Sequence, residues 1–291
     1  MLGKYTSEGF IDRREEVRKL LSLSIDELVT MSKGHLVVVS TLEKLHKHFA
    51  DSIADEIKGN NAKNRPSRLI LPVGPVGQYP ILKDKINAEG ISLKNCYFFF
   101  MDEYCDENGR VLPKGHPLSF RGTVEQLFFS HIKPRLNIPR EHLVFPTHLN
   151  IHRVSDIIEK AGGIDTCYGG IGIHGHVAFN EPEPAVADSE PRLIYLNDFS
   201  VTINAIRSSV GGNIVNFPRK AVTLGMRQIM GAKRIRLYCR NGGPWDWANM
   251  ALRLALLGRI GDDFPVTHIQ RHRDYLIVAD RDAASPPKHI I

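Results

Sequence analysis

The chain is organised around the stretch Gly169-Gly170-Ile171-Gly172-Ile173-His174-Gly175-His176-Val177-Ala178-Phe179-Asn180-Glu181-Pro182. An apolar run from Ile164 through Tyr168 leads into it, which predicts a buried strand that ends at glycines and continues as a polar loop. At such a strand end in an α/β sheet, small residues let a ligand approach the backbone closely. The stretch therefore predicts an α/β fold with a binding site at the end of this strand.

This loop contains two imidazoles and a carboxylate, at His174, His176 and Glu181. Histidine titrates near neutral pH, and a nearby carboxylate can orient it and raise its basicity. The i, i+2 spacing also puts both imidazoles on one face of an extended segment, where they could hold zinc together with Glu181 or Asp102. A structural role in a tight turn is the third interpretation. Because no cysteine and no third well-spaced ligand accompanies the pair, we predict an acid–base set without a metal.

The composition excludes several classes of protein. At 291 residues, with 42% hydrophobic and 24% charged residues, the chain is long enough for one large α/β core. The net charge of +6 comes from scattered basic residues, which an anionic small substrate explains as well as a nucleic acid does, and we predict no nucleic-acid partner. No apolar run approaches about 18 residues and no apolar leader is present, so we predict a cytoplasmic protein without a membrane partner. Four cysteines without paired spacing predict reduced, partly buried thiols: Cys96, Cys105, Cys167 and Cys239.

From Arg68 onward, short apolar runs alternate with helical patterns, as expected of a parallel sheet with crossover helices. We predict one doubly wound, mostly parallel α/β sheet with helices on both faces over residues 36–291, preceded by a helical extension over residues 1–35. The predicted strands are 36–39, 69–73, 97–101, 143–145, 164–171, 193–196, 221–225, 235–240 and 275–279. The predicted helices are one or two within 11–32, then 41–58, 81–88, 119–132, 154–161 and 247–257.

Ligands of such sheets bind beyond the carboxyl ends of the strands. One loop in that position is the Gly/Pro-rich turn Leu71-Pro72-Val73-Gly74-Pro75-Val76-Gly77-Gln78-Tyr79-Pro80, which runs into a predicted helix. Backbone N–H groups at a helix N-terminus bind anions, and glycine lets a phosphate come close. The Gly-Lys-Ser/Thr ending of a Walker A loop is absent. We therefore predict a backbone cradle for an anion over residues 74–78.

A second such loop follows the apolar run Phe98-Phe99-Phe100-Met101, which ends in two carboxylates, Asp102 and Glu103. An acidic pair at a strand end can act as a general base or can cap the next turn. The spacing alone does not decide between these two interpretations. Further along, Ser119 is predicted to cap a helix.

Together these motifs resemble those of glucosamine-6-phosphate deaminases, also called isomerases, over roughly residues 36–279. The family signature reads Gly-Gly-(Ile/Val)-Gly-x-Asp-Gly-His-(Ile/Val)-Ala-Phe-Asn-Glu-Pro, and the family also has Met-Asp-Glu-Tyr after a strand. His176 and Glu181 match this signature, whereas His174 replaces its aspartate. The resemblance implies the Rossmann-like fold of the deaminase and phosphogluconolactonase superfamily. The lactonase branch usually has Ser-Leu-Phe-Pro where this chain has Ala-Phe-Asn-Glu-Pro, which favours the deaminase side.

The resemblance implies three catalytic roles. Asp102 would move a proton between C1 and C2 of the opened sugar, His176 would assist opening of the pyranose ring, and Glu181 would belong to the same proton relay. The aspartate that His174 replaces holds and polarises the histidine in the family. An imidazole can accept a proton in that way only if it is neutral and in the correct tautomer, so the relay would be weakened or rebuilt.

For the substrate, the resemblance implies a phosphate site that has lost some donors. Val73 and Val76 stand where the family has threonines, and a family lysine near Trp247 is missing. The phosphate-binding arginine of the family falls on Arg207 under a one-residue shift. Trp245 and Trp247 form either a stacking surface for a sugar or part of the core. The implied substrate-binding residues are Gly74, Pro75, Val76, Gly77, Gln78, Glu103, Gly175 and Arg207.

The implied function is the isomerisation of a hexosamine 6-phosphate, such as glucosamine 6-phosphate, with release of ammonia. The enzyme would be a cofactor-free, homo-oligomeric hydrolase or isomerase of amino sugar metabolism. Two alternatives remain besides a lactonase: an enzyme of the same fold that acts on a different or non-phosphorylated sugar, and a catalytically silent sugar-binding protein, for which His174 is the main support. All enzymatic interpretations require that Asp102 and His176 converge on one cavity sized for a hexose.

Overall fold

A computed structural model describes residues 12–241 and 246–291. Residues 1–11 of the predicted extension and Trp245 of the predicted stacking surface lie outside the described residues. The described strands are β1 (Leu36–Val39), β2 (Ser67–Leu71), β3 (Cys96–Phe100), β4 (Asp102–Cys105), β5 (Leu143–Val144), β6 (Thr166–Gly170), β7 (Arg192–Tyr195), β8 (Lys220–Thr223), β9 (Arg234–Cys239) and β10 (Tyr275–Asp280). The described α-helices are α1 (Arg14–Leu21), α2 (Ile25–Met31), α3 (Leu42–Ala62), α4 (Gln78–Glu89), α5 (Phe120–Leu127), α6 (Val154–Lys160), α7 (Asp198–Arg207), α8 (Met226–Met230), α9 (Ala248–Leu257) and α10 (Arg281–Ala284).

The main sheet has seven parallel strands in the order β1-β10-β9-β6-β2-β3-β5. Its side chains alternate between two hydrophobic clusters, because successive residues of a strand point to opposite faces. Leu69 and Leu71 of β2 belong to the cluster under α3, α4 and α5, whereas Ile70 belongs to the cluster under α6, α8 and α9. Both faces of the sheet are therefore covered by helices, which confirms the predicted α/β fold class.

The strand order reverses between β2 and β6. From β2 the chain proceeds to β3 and β5 on one side, and it then returns to place β6, β9 and β10 on the other side. The loops after β2 and β6 consequently leave the sheet in different directions, and a crevice opens between them. Pro75 and Gly170 meet at its base, since a Cβ atom on Gly170 would lie 2.9 Å from Cδ of Pro75.

The structure differs from the prediction of a single sheet, because β4, β8 and β7 form a separate three-stranded antiparallel sheet. The segments predicted as strands 193–196 and 221–225 lie in this smaller sheet. Its strand β4 was predicted as a loop, since the four residues that follow Met101 are too few for a recognisable alternation. Asp102 begins β4 and pairs with Thr223, which places the acid at the junction of the two sheets.

The N-terminal helices α1 and α2 are present as predicted. Ser24 caps α2 by a reciprocal capping box with Glu27. The buried guanidinium of Arg253 on α9 donates hydrogen bonds to the carbonyl oxygens of Leu20 at 2.8 Å and Leu23 at 2.9 Å. Because a buried arginine must find such acceptors, these contacts fix the helical extension on the α/β core.

The four cysteines are free and buried, as predicted. Within residues 12–241 and 246–291, none of the helices has the length and apolar character needed to cross a bilayer.

Candidate active site

The loops at the carboxyl ends of β2, β3, β6 and β9 enclose a cavity of about 410 Å³, which is in the range of small-ligand sites. Asp102 and His176 both line it, so the structure confirms that these two residues converge on one cavity. Pro75 and Gly170 stand at its base, where the strand order reverses. The other residues on the wall include Gly74, Val76, Tyr104, Gly172, Asn204, Arg207, Arg240 and Trp247.

A second depression, of about 550 Å³, lies at the opposite, amino ends of the strands. Charged side chains on its wall are paired either with one another, as Lys233 is with Asp165 at 2.7 Å, or with a neighbouring residue, as Arg234 is with Glu56 at 2.6 Å. These contacts join neighbouring elements of the fold. We therefore place the site in the smaller cavity, where the polar groups face open space.

Asp102 provides a carboxyl group suited to proton transfer. It is only 7% exposed, yet it lines the cavity. In the described part of the chain the carboxylate accepts no hydrogen bond, and burial together with the nearby Glu103 raises its pKa to about 8. A carboxyl whose pKa lies near the working pH is an effective general base.

Glu103, which was predicted to bind substrate, points away from the cavity wall. Its carboxylate accepts hydrogen bonds from the backbone N–H groups of Phe120 and Arg121, both at 2.9 Å, and from Oγ of Ser119 at 3.1 Å. Burial raises the pKa of Glu103, and these donors oppose the shift. Of the two interpretations of the acidic pair, capping applies to Glu103, because its carboxylate binds the N-terminus of α5.

His174 and His176 form a hydrogen-bonded pair, with 3.1 Å between their Nδ1 atoms. The Nε2 atom of His174 lies 2.7 Å from Nδ2 of Asn197, the N-cap residue of α7. Burial lowers the pKa of both imidazoles, and for His176 the neighbouring His174 and Arg207 lower it further. These shifts favour the neutral form of both histidines, and His176 is the one on the cavity wall.

Glu181 lies behind the histidine pair. Its Oε2 atom accepts a hydrogen bond from the backbone N–H of Asn197 at 2.8 Å, whereas its buried Oε1 atom has no partner in the described residues. Burial raises the pKa of Glu181 to about 7, against the lowering effect of Ser200 and Asn197. Ligand atoms of His174, His176 and Glu181 lie within 4.8 Å of one another, so their number and chemistry would permit a metal ion.

Gly175 shapes the loop that carries the histidines. Its φ of +70° favours glycine, and a Cβ atom there would lie 2.9 Å from Cδ1 of Phe264. Gly172 has a different constraint, because a Cβ atom would lie 1.9 Å from Nε2 of His176. Gly175 thus positions the histidines from outside the cavity, while Gly172 leaves room for the imidazole of His176.

The predicted anion cradle is only partly on the cavity wall. Gly74, Pro75 and Val76 line the cavity, whereas Gly77 and Gln78 lie behind them. Gln78 is fully buried and donates a hydrogen bond to the carbonyl oxygen of Pro75 at 2.8 Å, which fixes the loop. Gly77 packs against the ring of His46, as a Cβ atom there would lie 2.2 Å from its Cε1.

Two arginines line the side of the cavity next to α7 and β9. Arg207, on the last turn of α7, lies over the ring of Trp247 at 4.5 Å from the centroid, so this tryptophan contacts a cation on the cavity wall. Arg240 directly follows β9. Burial lowers the pKa of Arg207 to about 10, with a further contribution from Arg240, and burial also lowers the pKa of Arg240. In the described residues neither guanidinium forms an ion pair with a carboxylate.

Arg207 was predicted from the sequence to bind substrate, and it lies on the cavity wall, whereas Arg240 and Asn197 were not predicted as site residues. One sequence feature could have indicated Arg240 as a site residue. It is a charged residue that follows an apolar strand, as Asp102 follows β3. Asn197 gave no signal of its site role, since its contact with His174 joins residues far apart in the sequence. Its helix-capping residue type was the only local indication.

The chain is similar in sequence to known glucosamine-6-phosphate deaminases. The chain is 30% identical over 254 residues to a glucosamine-6-phosphate deaminase from Caenorhabditis elegans, covering 85% of this chain and 90% of that protein. It is 28% identical over 259 residues to a glucosamine-6-phosphate deaminase from Thermoanaerobacter sp. (strain X514), covering 86% of this chain and 94% of the relative. No protein-family model matches the chain.

Known structures agree with the sequence comparison. A structure described as a monomeric glucosamine-6-phosphate deaminase of the NagB superfamily has a TM-score of 0.75 and 28% identity, and the match covers 86% of this chain and 98% of that one. A 6-phosphogluconolactonase from Leishmania guyanensis has a TM-score of 0.59 at 15% identity, over 85% of this chain and 96% of that one. At that identity the likeness shows a shared fold only.

Proposed function

The chain belongs to the glucosamine-6-phosphate deaminase family, and we propose that it isomerises and deaminates a hexosamine phosphate, with glucosamine 6-phosphate as the first candidate. The observation that carries the proposal is the composition of the cavity wall. Asp102 and His176 supply a proton-transfer group and an imidazole, and Arg207 and Arg240 supply two cations that form no ion pair within the described part of the chain. A hexosamine phosphate has an acidic C–H group that fits Asp102 and His176, and a phosphate dianion that fits Arg207 and Arg240.

In the proposed reaction, Asp102 moves a proton between C2 and C1 of the sugar. Once the ring is open, the ionised carboxylate takes the proton from C2, between the C1 aldehyde and the C2 ammonium group. One ammonium proton moves to the C1 oxygen, and the neutral enolamine forms. Return of that proton to C1 gives a C2 iminium ion with a hydroxyl on C1. Addition of water at C2 and departure of ammonia leave a ketose phosphate. No electron is gained or lost overall, so the reaction needs no redox cofactor.

Arg207 and Arg240 support a phosphorylated substrate. Arg207 and Arg240 repel each other on the cavity wall, since the charge of Arg240 adds to desolvation, the main cause, in lowering the pKa of Arg207. A bound dianion would remove this repulsion, and each charged hydrogen bond contributes about 1.5–3 kcal/mol. Arg240 thus supplies a charge in place of the lysine that is missing near Trp247, and the backbone of residues 74–76 faces the same cavity.

One observation favours a second candidate, a sugar without a phosphate. Val73 and Val76 present methyl groups where threonine hydroxyls would bind the anion, and Val76 lines the cavity. The same reaction could then proceed on a hexosamine that carries another group at C6. We also propose a homo-oligomer, following the resemblance, although one relative of known structure is described as monomeric.

Ammonia release from glucosamine 6-phosphate, compared with release from glucosamine, tests both candidates. We expect turnover of the phosphorylated sugar, and Asp102→Asn should lower kcat by at least about 100-fold because it removes the base. Asp84→Asn, at an exposed acid on α4, should keep the wild-type rate. Wild-type ammonia release by Asp102→Asn would rule out the assigned base, and turnover of glucosamine alone would favour the second candidate.

A further inference from the structure

The orientation of the Asn197 side chain is fixed by the helix that it caps. Its Oδ1 atom accepts a hydrogen bond from the backbone N–H of Ser200 at 2.9 Å, as an N-cap side chain does. A backbone N–H can only donate, so the amide oxygen must face Ser200. The amide NH₂ group is thereby directed at Nε2 of His174, 2.7 Å away.

This contact determines the proton positions on both histidines. An amide nitrogen only donates, so Nε2 of His174 accepts and carries no proton. A neutral imidazole then has its proton on Nδ1, and Nδ1 of His174 faces Nδ1 of His176 at 3.1 Å. That atom of His176 must accept in turn, which leaves the single proton of His176 on Nε2.

We propose that Asn197 is a positioning residue that sets the tautomer of the histidine pair, so that His176 presents an Nε2–H donor to the cavity. The family signature has an aspartate in place of His174. A carboxylate there would accept from Nδ1–H of His176 and leave Nε2 as a base. With histidine at position 174, Nε2 of His176 is therefore a hydrogen-bond donor toward the substrate, where it would be an acceptor with aspartate.

The role of this donor rests on the proposed function. A neutral imidazole N–H can polarise a carbonyl oxygen during proton transfer at the adjacent carbon. Here Nε2–H of His176 donates to the C1 oxygen of the open sugar while Asp102 takes the C2 proton. No proton leaves His176 in this role. The lowered pKa of each histidine, caused mainly by burial, keeps the pair neutral as the role requires.

The same contact opposes a metal ion in this group of residues. A neutral histidine that binds a metal through Nδ1 has its remaining proton on Nε2 and donates it to an acceptor. At His174 that proton would meet the NH₂ group of Asn197, and turning the amide would remove the cap of α7. An imidazolium at His174 meets the same obstacle. His174 and His176 therefore form a hydrogen-bonded pair beside Glu181 instead of part of a preformed cation site.

The tautomers can be measured directly in the intact, substrate-free protein labelled with ¹⁵N-histidine. Two-bond and three-bond ¹H–¹⁵N correlations show which ring nitrogen carries the proton, and His174→Gln and His176→Gln identify the signals. We expect protonated Nε2 and unprotonated Nδ1 at His176. The opposite tautomer in the wild-type protein would overturn the proposal, and so would ordered binding of one zinc ion per chain that shifts both histidines.

Two variants isolate the contribution of Asn197. Asn197→Asp keeps a capping oxygen for Ser200 but offers an acceptor to His174, so both tautomers should reverse and leave Nε2 of His176 unprotonated. Asn197→Ser keeps the cap and removes the contact with His174, so the fixed tautomer should be lost while the thermal midpoint stays close to that of Asn197→Asp. Unchanged histidine signals in both variants would show that Asn197 does not set them. Because the NMR and thermal measurements need no substrate, they test the tautomer proposal independently of the proposed reaction.

Discussion

The guanidinium of Arg207 lies over the ring of Trp247, with 4.5 Å between Cζ and the ring centroid. A cation on the face of an indole is attracted by the ring quadrupole, which holds Arg207 in place although no carboxylate pairs with it in the described residues. Arg240 lines the same cavity, and its charge adds to desolvation, the main cause, in lowering the pKa of Arg207. The stacking contact therefore keeps one of two mutually repelling cations available for an anion.

We predict that Arg207→Ala and Arg240→Ala weaken binding of a phosphorylated sugar more than they slow its turnover. Loss of one charged hydrogen bond of about 1.5–3 kcal/mol corresponds to a KM roughly 10–100 times higher. Steady-state kinetics with glucosamine 6-phosphate measure this change. Arg219→Ala is the matched control, because that exposed arginine pairs with Asp198 at the other end of α7 and should leave KM unchanged. A normal KM in both cavity variants would exclude the arginine pair as the anion site.

Asp102 should impose a rising pH dependence on the reaction. Burial and the nearby Glu103 raise the pKa of Asp102 to about 8, and a general base acts only when ionised. The ionised fraction grows with pH, so kcat/KM should increase from about pH 6 and level off above about pH 8 in the free enzyme. The measurement is kcat/KM across this range, corrected for titration of the substrate amine. An activity that falls steadily as the pH rises would contradict a basic role for Asp102.

Glu103→Gln should destabilise the protein without changing substrate binding. The variant keeps the shape of the side chain, but its NH₂ group faces donors at Ser119 and Arg121 instead of accepting from them. An uncompensated buried donor costs about 1–3 kcal/mol of unfolding free energy, which urea unfolding can measure. Glu107→Gln, at an exposed position in the same segment, should be neutral. If KM rises while stability is unchanged, Glu103 binds substrate as the sequence analysis predicted.

Much of the architecture was predictable because it depends on local patterns. Strand β2 alternates between two buried clusters, and the loop that follows it is rich in glycine and proline, so the local sequence indicates both the strand and the place where it ends. The carboxyl ends of parallel strands lie at one edge of the sheet, which brought Asp102 and His176 together in the prediction. Element type and strand polarity were thus sufficient to locate the cavity.

What could not be predicted depends on contacts between distant segments. Strand β4 is defined by its pairing with β8, more than a hundred residues further along the chain. The carboxylate of Glu103 accepts a hydrogen bond from the N-terminus of α5, whereas the local sequence around Glu103 is equally compatible with a general base and a helix cap. Likewise, the tautomer of His176 depends on Asn197, whose visible local role is to cap α7.

Restoring the family aspartate at position 174 should return His176 to a titratable state. In the wild-type protein, burial and the neighbouring His174 and Arg207 hold the pKa of His176 well below its ordinary value. His174→Asp places a negative charge beside Nδ1 of His176, which favours the imidazolium and should raise its pKa by about 1 unit or more. The pKa can be followed by NMR titration of His176. His174→Asn is the control, because it has a similar shape but no charge and should raise the pKa much less. Equal titration in the Asp and Asn variants would mean that the histidine pair does not couple electrostatically as its 3.1 Å contact implies.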